Sequence, residues 1–131
     1  MAGGVSNPFG YREAVWRLFT QAPRAGAWPD GTPGVRGGQA GTPAGRQVLR
    51  LQLKLEGGRI ADARFQALGC PTTIAVGAWL AEHLAGRSLA EAAQIDAASI
   101  HAALEIPETR AHCALLGEDA LRAALADPKA S

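Results

Sequence analysis

The feature that most restricts the fold is a strand-like run that ends in a Gly-Cys-Pro corner and continues as an apolar helix. The run covers residues 59–68, and Gly69, Cys70 and Pro71 follow it directly. Glycine allows a tight backbone corner, and proline suits the first position of a helix, where its missing N–H has no partner to lose. The sequence therefore predicts that Cys70 lies at a helix N-terminus.

A cysteine in that position has two interpretations. The unpaired N–H groups and the positive end of the helix dipole favour the thiolate, which is the form that binds metals and attacks electrophiles. The alternative is a small buried cysteine beside a turn, because free cysteine is among the most buried residue types. The corner by itself favours the second interpretation.

The residues before the corner predict a β-hairpin. Four leucines alternate with polar residues along 48–55, which is the period of a half-buried strand. Gly57-Gly58 is a typical two-residue hairpin turn. The return strand is predicted to place four residues on one face: Ala61, Ala63, Phe65 and Ala67.

Helical periodicity is found on both sides of this hairpin. The predicted helices are Phe9–Thr20, a central apolar helix from Pro71 to Ala85, a short helix capped by Ser88 and Glu91, a helix from Asp96 or Ala97 to Leu104, and a last one from about Arg110 to Leu125. Residues 25–46 are rich in glycine and proline and are predicted to form a mobile loop, with at most a weak strand near Val35. Residues 1–8 are predicted to be a flexible lead.

Length and charge exclude several classes of protein. A chain of 131 residues is predicted to form a single domain, 1–131. Its net charge of +1 gives no reason to expect nucleic acid or an anionic membrane as a partner. No stretch approaches the roughly 20 apolar residues that a membrane span needs. Two cysteines and no secretory signal predict a reducing compartment, the cytoplasm.

The second cysteine, Cys113, follows His112 in the first turn of the last predicted helix. Two thiols and an imidazole suit a soft metal if the fold brings them together. A nucleophilic Cys–His pair and two structural cysteines are the alternatives. The alternative in which Cys113 and His112 are the nucleophile and base of a thiol enzyme has the least support, because no third orienting group can be named.

Several runs of residues together resemble a known family, the iron–sulfur cluster scaffolds of the IscU and NifU N-terminal type. The runs are 62–75, 86–92, 106–107, 110–116 and 119–120, and the resemblance extends in order from about Tyr11 to Pro128. It implies an α+β domain with a small antiparallel β-sheet packed against several α-helices. It also implies a non-enzymatic protein that accepts sulfur from a cysteine desulfurase and passes clusters to recipient iron–sulfur proteins, often with a DnaK-type chaperone.

The site of that family contains three cysteines, an aspartate and a histidine, and each of these five positions can be located in this sequence. The resemblance carries ligand roles to Cys70, His112 and Cys113, whereas Gly45 stands at the first cysteine and Gln47 at the aspartate. Because a [2Fe–2S] cluster normally needs four ligands while zinc accepts three and a water, cluster binding is expected to be weakened or altered. The expected cargo is iron, a nascent iron–sulfur cluster or zinc.

A second hypothesis needs no metal. The protein is then a sulfur acceptor or regulatory partner of a cysteine desulfurase, with Cys113 taking the persulfide. Arg46, where the family has a small glycine, and Arg110 are candidate cations to steady a bound anion. Residues 106–110 keep only the first proline and the basic end of the family's chaperone motif, so a DnaK-type chaperone is not expected. Both a monomer and a homodimer remain open.

Overall fold

The structure is a computed structural model that describes residues 10–127, and over this range it contains one three-stranded antiparallel sheet and five α-helices. The elements in chain order are α1 (Glu13–Gln21), β1 (Val35–Thr42), β2 (Gln47–Glu56), β3 (Arg59–Leu68), α2 (Pro71–Leu84), α3 (Leu89–Ala92), α4 (Ala97–Leu104) and α5 (Ala111–Ala126), with a 3-10 turn at Glu108–Arg110 before α5. The α+β class is confirmed. The predicted flexible lead, 1–8, lies outside the described residues.

The central strand β2 carries one side of the core. Leu49, Leu51 and Leu53 are completely buried, as their alternation with polar residues predicts. Gly57 and Gly58 both have positive φ, 59° and 79°, which is the backbone of a type I′ turn. The predicted hairpin between β2 and β3 is confirmed.

The inward face of β3 differs from the prediction at one end. Ala63 and Phe65 are buried as expected, but Ile60 is buried in place of Ala61, which is exposed. The pairing register shifts between Lys54 and Leu55, so that Lys54 faces Asp62 and Leu55 faces Ile60. This bulge adds one residue to β3 and reverses the alternation beyond it.

The prediction of a mobile loop over residues 25–46 is wrong for 35–42, where the weak strand predicted near Val35 is a full strand. Val35–Thr42 forms a regular edge strand that pairs with β2 along all eight of its residues. Its glycines are needed by the packing above it: a Cβ on Gly38 would lie 2.1 Å from the backbone nitrogen of Ala124. The glycine content that predicts a loop therefore lets α5 approach the sheet closely.

The first half of that segment is also held in place. Ala25 forms a parallel bridge with Phe65, so the chain briefly extends the sheet beside β3. Farther on, the Gln52 side chain accepts from the backbone N–H of Trp28 (2.8 Å) and donates to its carbonyl (3.1 Å). Because Gln52 is only 4% exposed, these two bonds satisfy a buried amide and fix the segment on the outer face of the sheet.

The helices cover the other face of the sheet. Helix α5 lies against β1 and β2, α2 lies against β3, and α1 and α4 pack on α2 and α5 respectively. The capping box predicted for α3 is present, with reciprocal hydrogen bonds between Ser88 and Glu91. Within residues 10–127 no helix has the length and apolar character required to span a membrane.

Candidate functional site

Cys70 lies where β3 turns into α2. It is the N-cap of α2, with Pro71 at the first helical position, as the sequence predicts. The preceding corner needs Gly69, which has a φ of 154° and where an added Cβ would lie 3.1 Å from the Thr73 side chain. The Cys70 side chain is partly exposed at this corner.

Cys113 lies in the first turn of α5, and the two helix starts meet at one end of the molecule. The sulfur atoms of Cys70 and Cys113 are 3.9 Å apart although the residues are separated by 43 positions. Cys113 is fully buried, so the pair has one accessible and one inaccessible thiol. The sequence predicts both helix positions but not that they adjoin.

Two polar side chains surround the thiols. Thr73, one turn into α2, donates to the Cys113 sulfur (3.4 Å), and its hydroxyl is 3.6 Å from the Cys70 sulfur. The Gln47 amide, at the start of β2, donates to the Thr73 hydroxyl (3.2 Å) and contacts the Cys113 sulfur at 3.9 Å. Three secondary-structure elements thus supply a small hydrogen-bonded group around two sulfurs.

The two thiols have opposite acidities. The hydrogen bond from Cys113 is the main reason that the pKa of Cys70 is lowered, to about 4, and the backbone N–H groups of Thr73 and Thr72 lower it further. The pKa of Cys113 is raised, first because its thiol proton is shared with Cys70 and then because it is buried. The pair therefore favours a thiolate at the accessible Cys70 and a protonated donor at Cys113.

Arg110 stands close to this group, as the sequence hypothesis expects of a cation near the site. Its charge acts on the Cys113 thiol in the direction of a lower pKa, although burial and Cys70 outweigh it. The guanidinium lies over the Tyr11 ring, 5.2 Å from its centroid, and Tyr11 in turn stacks on Trp16. The N-terminal segment therefore helps to place a cation at the start of α5.

The remaining predicted site residues lie at the surface. His112 is exposed at the second residue of α5. Gly45 and Arg46 are exposed in the turn between β1 and β2, with Arg46 in the left-handed region at a φ of 59°. Among residues 10–127, no group of three or more His, Cys, Asp and Glu side chains is arranged to hold a metal ion. The structure brings two of the three proposed ligands together.

Sequence reasoning missed the role of two residues. It treats Gln47 as a lost ligand, whereas the amide is a hydrogen-bond donor inside the group. It gives no role to Thr73, whose spacing of three residues from Cys70 on a helix was the available signal. The resulting arrangement can stabilise an anionic sulfur and can offer two sulfur ligands to a soft cation.

Comparisons with known proteins agree with this architecture. The model of the family described as NifU-like N terminal domain matches residues 10–130. The iron–sulfur cluster assembly scaffold protein IscU of Escherichia coli K12 is 38% identical over 120 residues, covering 91% of this chain and 94% of that protein. The iron–sulfur cluster assembly enzyme IscU of Drosophila melanogaster is 36% identical, covering 91% and 78%.

Solved structures show the same fold. One is a putative iron–sulfur cluster assembly scaffold protein for the SUF system from Fervidobacterium islandicum, with a TM-score of 0.68, 18% identity, and coverage of 88% of this chain and 96% of that one. Another is the N-terminal part of a NifU-like protein from Brucella abortus, with a TM-score of 0.55, 14% identity, and coverage of 84% and 76%. The chain therefore belongs to the NifU-like N-terminal domain family, whose IscU members are iron–sulfur cluster assembly scaffolds.

Proposed function

We propose that this protein is a scaffold in iron–sulfur cluster assembly whose cargo is iron, zinc or a nascent cluster, held by Cys70, His112 and Cys113. The observation that carries the proposal is the pair of thiols 3.9 Å apart at two helix starts, in a chain of this family. His112 directly precedes Cys113, and its exposed imidazole can turn toward a cation bound at the sulfurs. Two sulfurs and one nitrogen suit zinc or iron.

The polar neighbours weaken the hold on a cation. At the family's aspartate position, Gln47 brings a neutral amide whose N–H points into the site, and Arg110 adds a positive charge nearby. Neither contributes the negative charge that a carboxylate would supply. The cargo is therefore held transiently, and the proposal assigns no catalysis to the chain.

The test is the metal and acid-labile sulfide content of protein purified anaerobically without chelators, together with Cys70→Ser and Cys113→Ser. Zinc or iron near one equivalent that is lost in both variants supports the proposal. As a matched control, Ser99→Cys adds a thiol at an exposed position of α4 and should leave the metal content unchanged. Wild-type protein that stays free of metal, and free of chromophore after reconstitution, contradicts it.

A second candidate, the sulfur acceptor, is favoured by the polar groups around Cys113. Thr73 and Gln47 direct donors at its sulfur, and the Arg110 charge favours its anion. Burial and Cys70 keep the Cys113 thiol itself protonated. The same donors would nevertheless stabilise a persulfide anion once the sulfur has been accepted. Here Cys113, which is buried in this structure, accepts sulfur from a cysteine desulfurase after a local opening of the thiol end. Cys70→Ser then removes metal binding but leaves persulfide loading at Cys113 intact.

The partners in both cases are a cysteine desulfurase and recipient iron–sulfur proteins, in the cytoplasm. Two large apolar side chains within residues 10–127 are exposed: Leu68, 54%, and Leu115, 55%. Each lies two positions from a cysteine of the pair. Exposed apolar residues beside a reactive site are typical of a docking surface, which supports partner binding at the thiol end of the molecule. The exposed Arg46, in the turn beside Gln47, adds a cation for an acidic partner or a bound anion.

A further inference from the structure

We propose that the Cys70–Cys113 pair discharges an accepted sulfur as sulfide by closing into a disulfide. This inference rests on the sulfur-accepting role described above and adds a reaction to it. One cysteine carries the persulfide, and the other acts as a resolving thiol. The scaffold is then its own source of the two electrons that reduce the sulfur.

The geometry suits this reaction. The two sulfurs are 3.9 Å apart, so they must approach by about 2 Å to reach the length of a disulfide bond. Cys70 is an N-cap at a partly exposed corner, outside the regular turns of α2, so its side chain can move. Thr73 contacts both sulfurs and holds them on the same side of α2.

The exchange balances without an external reductant. The resolving thiolate attacks the inner sulfur of the persulfide R–S–SH, and a bond forms between the two cysteine Sγ atoms. The bond between the inner and outer sulfurs breaks, and the outer sulfur leaves as HS⁻ with the electron pair. The outer sulfur gains two electrons, and the two cysteine sulfurs together lose two in becoming the disulfide. A dithiol reductant returns the pair to the thiol state.

The reaction does not depend on which cysteine is loaded. A donor that reaches only the accessible Cys70 leaves Cys113 as the resolving group, and loading of Cys113 reverses these roles. Both routes give the same disulfide and the same HS⁻. Since the chain contains no cysteine besides these two, a disulfide within one molecule has a single possible pairing.

The experiment loads sulfur chemically, with inorganic polysulfide under anaerobic conditions, and then removes the excess by gel filtration. Wild-type protein is expected to be recovered without sulfane sulfur and lighter by two hydrogen atoms, as a disulfide. Cys70→Ser and Cys113→Ser are expected to retain one additional sulfur atom, which alkylation traps as a persulfide adduct. Untreated wild type kept under the same atmosphere should show two free thiols, and the double serine variant should retain no sulfur.

A second reagent tests closure of the pair without persulfide. The reagent is an aromatic disulfide such as dithionitrobenzoate. Each reagent molecule that reacts with wild type should release two aromatic thiolates, one when it attaches to a cysteine and one when the protein disulfide closes. Each reagent molecule that reacts with either serine variant should release one. Wild type that retains a persulfide as the variants do, or that keeps the aromatic group, overturns the proposal. Neither readout involves metal, so a negative metal analysis of the scaffold leaves this result unaffected.

Discussion

The hydroxyl of Thr73 donates a hydrogen bond of 3.4 Å to the sulfur of Cys113 and accepts one of 3.2 Å from the amide of Gln47. This single buried hydroxyl therefore connects the start of β2, the first turn of α2 and the first turn of α5. Its neighbour Thr72 is equally buried, but its hydroxyl has no hydrogen-bond partner within residues 10–127. The two threonines form a natural matched pair for experiment.

Thr73→Val is expected to lower the free energy of unfolding by about 1–2 kcal/mol, because it leaves the partly buried Gln47 amide and the buried Cys113 thiol without their shared partner. Thr72→Val removes a buried hydroxyl that has nothing to bond, so stability should be unchanged or higher. Urea denaturation of the reduced protein measures both. Equal losses in the two variants would show that the Thr73 hydrogen bonds contribute nothing.

Cys70 is expected to be alkylated in mildly acidic solution. Its pKa is lowered from 9.0 to about 4, so the reactive thiolate is present above that pH and disappears as the pH falls through it. The rate with iodoacetamide should therefore be nearly constant down to about pH 6, where an ordinary thiol has almost stopped reacting. Cys113→Ala removes the main donor and should move the profile to higher pH, whereas an unchanged profile would contradict the assigned cause.

Gln47→Asp is expected to tighten zinc binding about tenfold, equivalent to about 1.4 kcal/mol. The substitution puts a carboxylate, a good zinc ligand, on a side chain one methylene shorter than the one whose amide now contacts Thr73 and Cys113, which leaves room for the cation between them. Gln66→Asp, at an exposed position of β3, adds the same charge outside the thiol group and serves as the control. Calorimetric titration of both variants with zinc distinguishes direct ligation by the new carboxylate from a general charge effect. An equal gain in zinc affinity in the control would show that the carboxylate at position 47 is not a ligand.

Gly38→Ala is expected to destabilise the fold by about 3 kcal/mol. The new Cβ would lie 2.1 Å from a backbone atom of α5, and a helix backbone cannot move aside as a flexible side chain can. At Gly37 the nearest atom to a new Cβ is the Cγ of Gln52 at 3.8 Å, which is an ordinary van der Waals contact. Gly37→Ala should therefore cost below about 1 kcal/mol. Thermal unfolding of the two variants measures the difference. Similar midpoint temperatures would mean that α5 does not pack against β1 as described.

Leu115→Asp is expected to weaken binding to a cysteine desulfurase about tenfold or more while leaving the fold stable, since the side chain is 55% exposed. Ala61→Asp, exposed at the hairpin end of β3, is the control and should bind as wild type. Surface plasmon resonance with the purified desulfurase measures both affinities. Equal binding by the two variants would place the docking surface elsewhere.

Local sequence signals predicted much of the framework. The alternation of leucines, the Gly57-Gly58 turn, Cys70 before Pro71, and the Ser88 capping box all depend on residues within a few positions of one another, and each was found. Such features are settled by backbone sterics and by hydrogen bonds over one turn. The resemblance to cluster scaffolds also came from short runs of sequence.

Contacts between distant segments decided the rest. Residues 35–42 are a strand because β2 pairs with them and α5 needs Gly38, although glycine locally favours a loop. Ala61 is turned outward by a bulge whose position depends on the partner strand. Cys70, Thr73, Gln47 and Cys113 form one group because β2, α2 and α5 all begin at the same place. The sequence by itself determined where α2, α3 and the turn between β2 and β3 begin. Only tertiary packing determined which of the helix and strand starts touch, since burial and distance arise from the whole chain.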